Sequence, residues 1–135
     1  MASFSERSRL RLEQCDSRLI HILQRAIIHV DFTVLCGHRD QEAQDEAYRL
    51  GRSTKQWPGS RHNRFPSAAV DIAPWHGPIV RIDWDDLQAF SRLAGYLEAV
   101  ADELGFRIRW GGDWDQDGRT ADERFIDAGH IEVVE

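Results

Sequence analysis

Two histidines and two aspartates have the residue types expected of a catalytic metal site. They are His62, Asp71, Asp127 and His130. Imidazole nitrogen and carboxylate oxygen are donors that zinc accepts, and three protein ligands with a fourth position left to water are typical of catalytic zinc. Asp127 precedes His130 by three residues, close enough to act on a water at the metal without binding the metal itself. The spacing is loose, and a histidine is more often a surface or core residue than a ligand, so the residues alone leave both interpretations open.

A second acidic segment, DWDQDGRTADE over 113–123, opens like a calcium-binding loop. Its candidate ligands are Asp113, Asp115, Asp117, Asp122 and Glu123. The first three, followed by Gly118, match the D-x-D-x-D-G pattern of an EF-hand, in which glycine allows a sharp turn. The bidentate glutamate expected at position twelve is absent, because that position is Arg124. A calcium loop and a plain acidic loop therefore remain alternatives.

The elements that must position these residues follow from the spacing of apolar side chains. The pattern predicts three helices: over about 6–29, over 40–50 between Asp40 as N-cap and Gly51 as stop, and from Asp83 or Asp85 to Gly105. Short apolar or alternating runs predict four strands: FTVLC (32–36), AAVDIAP (68–74), FRIRW (106–110) and HIEVV (130–134). Asp71 and His130 then lie on separate strands and His62 at the edge of a loop. No regular βαβ order appears, so we expect one α+β domain over 1–135, with a small mixed or antiparallel sheet and about three flanking helices.

Composition narrows the function classes. The chain has 135 residues and a formal charge of −6, which argues against nucleic acid as its main partner. Cys15 and Cys36 are too few for a disulfide scaffold and lie outside Cys/His ligand spacing, so we expect free thiols. No apolar run approaches membrane length and no signal peptide begins the chain, so we expect synthesis in a cytoplasm and no membrane insertion.

Three ordered motifs resemble the M15 family of zinc D,D- and L,D-peptidases. SRHNRFPSAAVDIAPW (60–75) is similar to the SxH…AVD signature, DAGHIEV (127–133) to the D-x-x-H-x-E signature, and ELGFRIRWGGDW (103–114) to a block of the phage-endolysin branch. The segments at 4–27 and 36–53 also match that branch, so the resemblance covers nearly the whole chain. Enzymes of this branch are L-alanyl-D-glutamate peptidases that cut the stem peptide of peptidoglycan, on a fold shared with D,D-peptidases and hedgehog-like domains.

The resemblance implies a role for each matched position. The implied zinc ligands are His62, Asp71 and His130, the catalytic acid/base is Asp127, and the substrate-cleft residues are Arg39 and Ser60. Arg39 is also a candidate catalytic residue, because its charge can pair with a substrate carboxylate or with the developing oxyanion. A surface ion pair with Asp40 or Glu42 is the alternative for Arg39. Glu132, two residues after His130 on the same strand face, is either a support for that histidine or a solvated acid.

One departure from the family pattern lies between the first two implied ligands. Eight residues, NRFPSAAV, separate His62 from Asp71, where the family commonly has six. We expect the insertion to bulge the loop ahead of the strand while the AVD end keeps Asp71 in register.

The leading hypothesis is a monomeric phage endolysin that hydrolyses the L-Ala–D-Glu bond with zinc, and with calcium if the acidic loop binds it. Such an enzyme would be made in the host cytoplasm and reach the cell wall after holin-type release. One alternative is a D,D-carboxypeptidase that releases terminal D-Ala. An alternative of another class is a non-catalytic wall-binding or tail-associated module that keeps the fold.

Overall fold

The computed structural model describes residues 2–78 and 82–135. The elements, in chain order, are α1 (Glu6–Leu12), α2 (Ser17–Ala26), β1 (Phe32–Cys36), α3 (Gln41–Arg49), a 3-10 helix (Arg61–Asn63), β2 (Ala69–Pro74), α4 (Leu87–Leu104), β3 (Ile108–Trp110) and β4 (His130–Val133). The four strands form one sheet in the order β1-β2-β4-β3, and each neighbouring pair is antiparallel. The predicted α+β class is confirmed, with the antiparallel form of the sheet.

The two faces of this sheet differ in chemistry because side chains alternate along each strand. One face is apolar and buried against α2 and α4; its residues are Val70, Ile72, Ile108, Trp110, Ile131 and Val133. The other face is polar. Asp71 of β2 lies opposite His130 of β4, and Arg109 of β3 lies opposite Glu132 of β4. The core therefore holds one side of the sheet rigid while the other side presents groups that can do chemistry.

The predicted first helix is wrong in one respect, because the chain breaks into α1 and α2 at residues 13–16. Asp16 caps α2 by accepting a hydrogen bond from the Arg18 amide. Its own amide donates to the carbonyl of Ser67, and the Ser67 amide donates to Gln14. This pairing with a distant loop stops α1. Leu12 and Leu19 are separated in the sequence by the length of two helical turns, and both are buried. The apolar pattern therefore continues across the break although the helix does not.

The other predicted helices occur with small changes at their ends. Asp40 caps α3 and Gly51, with a φ of 74°, follows its end. The N-cap of α4 is Asp86 rather than Asp83 or Asp85, and Gly105 ends it in the left-handed region with a φ of 80°. The chain thus has four α-helices among its described residues instead of about three, because the first predicted helix is two.

Within residues 2–78 and 82–135, none of the helices combines the length and the apolar character that a membrane span requires.

Candidate active site

A cleft of about 950 Å³ opens over the polar face of the sheet. Its floor contains three of the four residues singled out first, His62, Asp71 and His130, and Asp127 lies on its wall. The loop after α3 and Arg61, the neighbour of His62 in the 3-10 helix, also line the cleft. Residues separated by up to 68 positions in the sequence are therefore gathered at one place.

Both candidate histidines face the same oxygen of Asp71. His62 Nε2 lies 3.2 Å from Asp71 Oδ1, and His130 Nδ1 lies 3.5 Å from the same atom. Two ligands bound tetrahedrally at zinc–ligand distances of about 2.0–2.1 Å are about 3.3 Å apart. Each of the two observed separations is close to that value, so Asp71 Oδ1 is placed to share an ion with either histidine. The ligand atoms that lie within 4.8 Å of one another form two groups that meet at Asp71: Cys36, His62 and Asp71, and Asp71, Asp127 and His130.

In each ring one nitrogen faces Asp71, here called the front nitrogen, and the other, the rear nitrogen, faces away from it. The rear nitrogen has a fixed partner, which leaves the front nitrogen free. His62 Nδ1 lies 2.8 Å from the carbonyl oxygen of Gly37, and His130 Nε2 lies 2.8 Å from Glu132 Oε1. Each partner is an acceptor only, so each rear nitrogen carries the hydrogen. In the neutral rings, the lone pairs of His62 Nε2 and His130 Nδ1 therefore point towards Asp71. Fixing the tautomer through the other nitrogen is the usual support of a metal-binding histidine.

The charges in the cleft shift the pKa values of these groups strongly. Burial opposes the charged form of His62, but the Asp71 carboxylate outweighs it and raises the pKa of His62 to about 10. Burial likewise opposes ionisation of Asp71, yet the two histidines hold the pKa of this carboxyl well below its usual range. A cation would replace these protons, since metal and protons compete for the same lone pairs.

Asp127 differs from Asp71 in both position and pKa. Its Oδ2 lies 3.9 Å from His130 Nδ1, and its side chain is 40 % exposed to the cleft. Burial, followed by the nearby negative charge of Asp71, raises the pKa of Asp127 above its usual value. A carboxyl with a raised pKa, beside the donors and open to the cleft, can both accept and return a proton.

Arg39 contacts the second oxygen of Asp71 rather than a surface acid. Its Nη2 lies 3.5 Å from Asp71 Oδ2, and its Nη1 donates to Gln44 Oε1 at 2.9 Å. Among the described residues, Arg39 forms its ion pair with Asp71 and none with Asp40 or Glu42, the predicted alternatives, and Asp40 caps α3. Sequence reasoning missed Gln44, whose side chain is buried and holds Arg39 in place.

Glu132 is a buried support of His130, and the alternative of a solvated acid is wrong. Only 5 % of the residue is exposed. Besides His130, it contacts Arg109 Nη2 at 2.9 Å and Arg61 Nε at 3.1 Å. Burial opposes its ionisation, but hydrogen bonds from His130 and Arg109 lower the pKa of Glu132 to about 2. Sequence reasoning did not single out Arg61 or Arg109; the alternation of FRIRW opposite HIEVV is the one signal that could place Arg109 on this face.

The longer connection between His62 and Asp71 does not separate them. His62 lies in the 3-10 helix rather than at a loop edge, and Ser60 caps this helix by accepting from the His62 amide at 3.2 Å. The Ser67 hydroxyl lies 2.6 Å from the Ala69 carbonyl to which it donates, fixing the return into β2. Ser60 lines the cleft and is 8 % exposed; its predicted contact with substrate stays a prediction.

The segment between β3 and β4 is packed closely against the site. Trp110 Nε1 donates to the carbonyl of Ala128 at 2.6 Å, and the ring of Trp114 lies 5.3 Å from that of His130. Gly111 donates to His130 and accepts from Asp127, each at 2.8 Å. A Cβ at Gly111 would overlap the Asp127 carbonyl, so this glycine permits the close approach.

The five acidic residues of the candidate calcium loop lie together in two overlapping groups. One group is Asp113, Asp115 and Asp117, the other is Asp115, Asp122 and Glu123, and the ligand atoms within each lie within 4.8 Å of one another. Asp113 accepts hydrogen bonds from the amides of Asp117 and Gly118 at 3.1 and 2.8 Å. The hydrogen bond with Asp117 and then burial raise the pKa of Asp122 to about 6. Crowded carboxylates of this kind have affinity for a cation, and they also occur without one.

Comparison with known proteins extends these observations. A family model described as phage L-alanyl-D-glutamate peptidase matches residues 1–134. The L-alanyl-D-glutamate peptidase of Escherichia phage T5 is 31% identical over 136 residues, covering 97% of each chain. Among solved structures, the L-Ala D-Glu endopeptidase ChiX of Serratia marcescens superposes with a TM-score of 0.75 at 26% identity, covering 97% of this chain and 89% of that chain.

Proposed function

Because the chain belongs to the phage L-alanyl-D-glutamate peptidase family, we infer that it is a peptidase of the phage endolysin type that hydrolyses the bond between L-alanine and D-glutamate. We propose further that the substrate is the stem peptide of peptidoglycan and that the metal is zinc. The proposed ligands are His62 Nε2, Asp71 Oδ1 and His130 Nδ1.

The observation that carries this proposal is the pair of histidines whose rear nitrogens are both occupied. The Gly37 carbonyl and Glu132 take the rear hydrogens, and the front nitrogens lie 3.2 and 3.5 Å from one oxygen of Asp71. Two nitrogens and one oxygen form the mixed donor set typical of catalytic zinc, with a further position for water or substrate. Calcium and magnesium prefer sets made of oxygen alone, which argues against them at this place.

When bound, zinc supplies a Lewis acid for the scissile carbonyl and lowers the pKa of the attacking water. Asp127 then serves as the general base that takes the proton from the water. Its raised pKa favours keeping that proton long enough to return it to the departing amine of D-glutamate. One carboxyl therefore acts first as base and then as acid.

Arg39 has two roles in this proposal. Through Nη2 it engages Asp71 Oδ2, which leaves Oδ1 directed towards the histidines. Its permanent charge also lies beside the reaction centre, where it stabilises negative charge that develops on the carbonyl oxygen.

Digestion of purified peptidoglycan, with and without a chelator and with zinc restored, tests the proposal. New termini are identified by mass spectrometry. We expect new N-terminal D-Glu that disappears with the chelator and returns with zinc. Release of free D-Ala would instead support the D,D-carboxypeptidase, and the absence of any zinc-dependent product would support a non-catalytic wall-binding or tail-associated module.

The calcium loop is a separate proposal about a second ion. The close packing of Asp113, Asp115 and Asp117 supports it, while Arg124 at position twelve leaves the usual closing ligand missing. Calcium bound there would order the segment that leads into Asp127 and His130. With zinc kept saturating, calcium should raise the melting temperature and the activity; if it changes neither, the segment is a plain acidic loop.

We also propose that the protein acts as a monomer, is made in the host cytoplasm and reaches the cell wall after holin-type release. Size-exclusion chromatography with light scattering tests the first point. Lysis timed in cells that express the protein with and without a holin tests the second, since we expect lysis only with the holin.

A further inference from the structure

Two arginines of the cleft share one buried carboxylate. Arg109 Nη2 and Arg61 Nε lie 2.9 and 3.1 Å from the same atom, Glu132 Oε2. The other oxygen, Oε1, accepts from His130 Nε2. Glu132 therefore has no oxygen without a partner, and it fixes both guanidinium groups on the wall of the cleft beside His130.

This cluster carries more positive charge and more donors than its own acceptor can satisfy. Two guanidinium groups, which stay protonated in proteins, face one carboxylate, which leaves the cluster of these three side chains with one net positive charge. Each guanidinium has five N–H donors. Among residues 2–78 and 82–135, Arg61 Nη1 and Arg109 Nε find no hydrogen-bond partner although both atoms are buried. The two side chains are nevertheless 28% and 31% exposed and line the cleft, so the exposed parts of both guanidinium groups, rather than these two buried atoms, are open to an anion there.

Arg39, the other arginine beside the metal ligands, is more fully engaged by the chain itself. Its side chain is 16% exposed, its charge faces Asp71 at 3.5 Å, and Gln44 accepts from its Nη1. The charge on Arg39 is thus balanced within the protein, whereas that of the Arg61–Arg109 pair is not. An anionic group of the substrate is therefore recognised better by the pair.

The substrate of the proposed function has such a group next to the scissile bond. D-glutamate has two carboxyl groups, and the peptide continues through one of them, so the other stays free on the residue that contributes the departing amine. We propose that Arg61 and Arg109 form the subsite for this free carboxylate. The subsite lies across the His130 ring from the metal-facing nitrogen, so the carboxylate would be bound while the amide reaches the metal ligands. This inference rests on the proposed function and adds to it the basis of selection for D-glutamate.

Two peptides that differ in one group test the subsite. In both peptides the other residues are neutral and the C-terminus is an amide. They differ at the carboxyl group of D-glutamate through which the peptide does not continue. This group is a free carboxylate in one peptide and a carboxamide in the other. The zinc-loaded full chain should cleave the first with a kcat/KM about 10- to 100-fold higher, the range expected when a charge-assisted contact is lost. Arg109→Gln and Arg61→Gln should each reduce that ratio towards one. They should do so by slowing the carboxylate peptide more than the carboxamide peptide.

Arg107→Gln is the matched control, because Arg107 is exposed two residues before Arg109 and does not line the cleft; it should keep the wild-type ratio. Equal loss of both peptides in the Arg109→Gln and Arg61→Gln variants would mean that the arginines only hold Glu132, and would overturn the proposal. So would a wild-type chain that does not distinguish the two peptides. Zinc content and circular dichroism show whether Arg61→Gln and Arg109→Gln remain folded and loaded with zinc. If only one of them does, the ratio of kcat/KM for the two peptides is compared between that variant and wild type.

Failure of the proposed function is recognised separately. If wild type cleaves neither peptide, the proposed function is wrong. Calorimetry with the two D-glutamyl product peptides, one with the free carboxylate and one with the carboxamide, then tests the subsite by itself. Tighter binding of the free carboxylate by wild type, lost in Arg109→Gln, supports the subsite. Equal binding of the two products overturns it.

Discussion

The buried side-chain oxygen of Gln44 lies 2.9 Å from Nη1 of Arg39 and accepts a hydrogen bond from it. The same oxygen accepts from Asn63 Nδ2 at 3.1 Å, while Gln44 Nε2 donates to Ser53 Oγ and to the carbonyl of Lys55 at 3.0 and 2.7 Å. A single amide thereby joins the cleft arginine, the residue after His62 and the loop after α3. All of its hydrogen-bonding capacity is used inside the protein.

Replacing this amide should therefore loosen one whole side of the cleft. Gln44→Ala leaves four hydrogen-bonding groups without their partner, and we expect it to lower the free energy of unfolding by about 2–4 kcal/mol. Activity should fall further, because Arg39 is no longer directed at Asp71. Urea unfolding and peptide cleavage measure the two effects. Gln41→Ala, an exposed change in the same helix, should stay within about 0.5 kcal/mol of wild type; equal stability of the two variants would contradict the prediction.

Glu132 should control how tightly the metal is bound although it does not contact it. In Glu132→Gln the charge that attracts the rear hydrogen of His130 is lost, and the ring is held less firmly. We expect zinc affinity to fall about 10- to 100-fold, as is typical when such a support is removed. Competition with a chromophoric chelator measures the affinity. Glu103→Gln, an exposed change on α4, serves as the control, and an unchanged Kd in Glu132→Gln would remove the assigned role.

Gly111 should tolerate no side chain, since a Cβ there would overlap the carbonyl of Asp127 and press on the Cβ of His130. Gly111→Ala must shift the segment that carries the proposed acid/base and a proposed ligand. We expect loss of most activity and of more than about 1 kcal/mol of stability, in the manner of overpacking. Gly95→Ala is the opposite case: this glycine lies within α4 with open space around it, so alanine should stabilise by about 0.5–1 kcal/mol. A fully active Gly111→Ala enzyme would show that the close approach is unnecessary.

The site could be predicted from the sequence to the extent that its residues carry local signals. Alternation in HIEVV placed His130 and Glu132 on one face, and the family motifs placed His62 and Asp71 beside them. Gln44 and Arg61 have no such signal, and Arg109 has only the alternation of FRIRW. Their partners lie up to 71 positions away along the chain, and only the folded sheet brings these groups together.

The break between α1 and α2 was missed for a related reason. Leu12 and Leu19 keep the spacing of one continuous helix, so the apolar pattern does not show that the chain turns between them. The interruption depends on hydrogen bonds with Ser67, a residue of the long connection that lies far away in the sequence. Asp16 was the available local signal, because aspartate is a preferred N-cap.

That cap should make the stability of the protein depend on pH in a defined range. The hydrogen bond from Arg18, reinforced by the charge of its guanidinium, lowers the pKa of Asp16 below the ordinary value of 3.8. Since the folded pKa is the lower one, the ionised carboxylate stabilises the fold above pH 3.8, and this contribution is lost as the pH falls through the folded pKa. Asp16→Asn keeps a capping side chain but removes the charge, and we expect it to lower the free energy of unfolding at pH 7 by about 0.5–1 kcal/mol.

Urea unfolding of wild type and Asp16→Asn between pH 2 and pH 7 checks this prediction. The difference between the two proteins should be constant from about pH 5 upwards and should shrink towards zero at the acid end. Arg18→Gln should show the same loss at neutral pH, because it removes the other half of the ion pair at 2.9 Å. No difference between the two proteins at pH 7 would mean that the cap acts through its hydrogen bond to the backbone alone, and a difference that stays constant down to pH 2 would mean that it does not arise from the charge of Asp16.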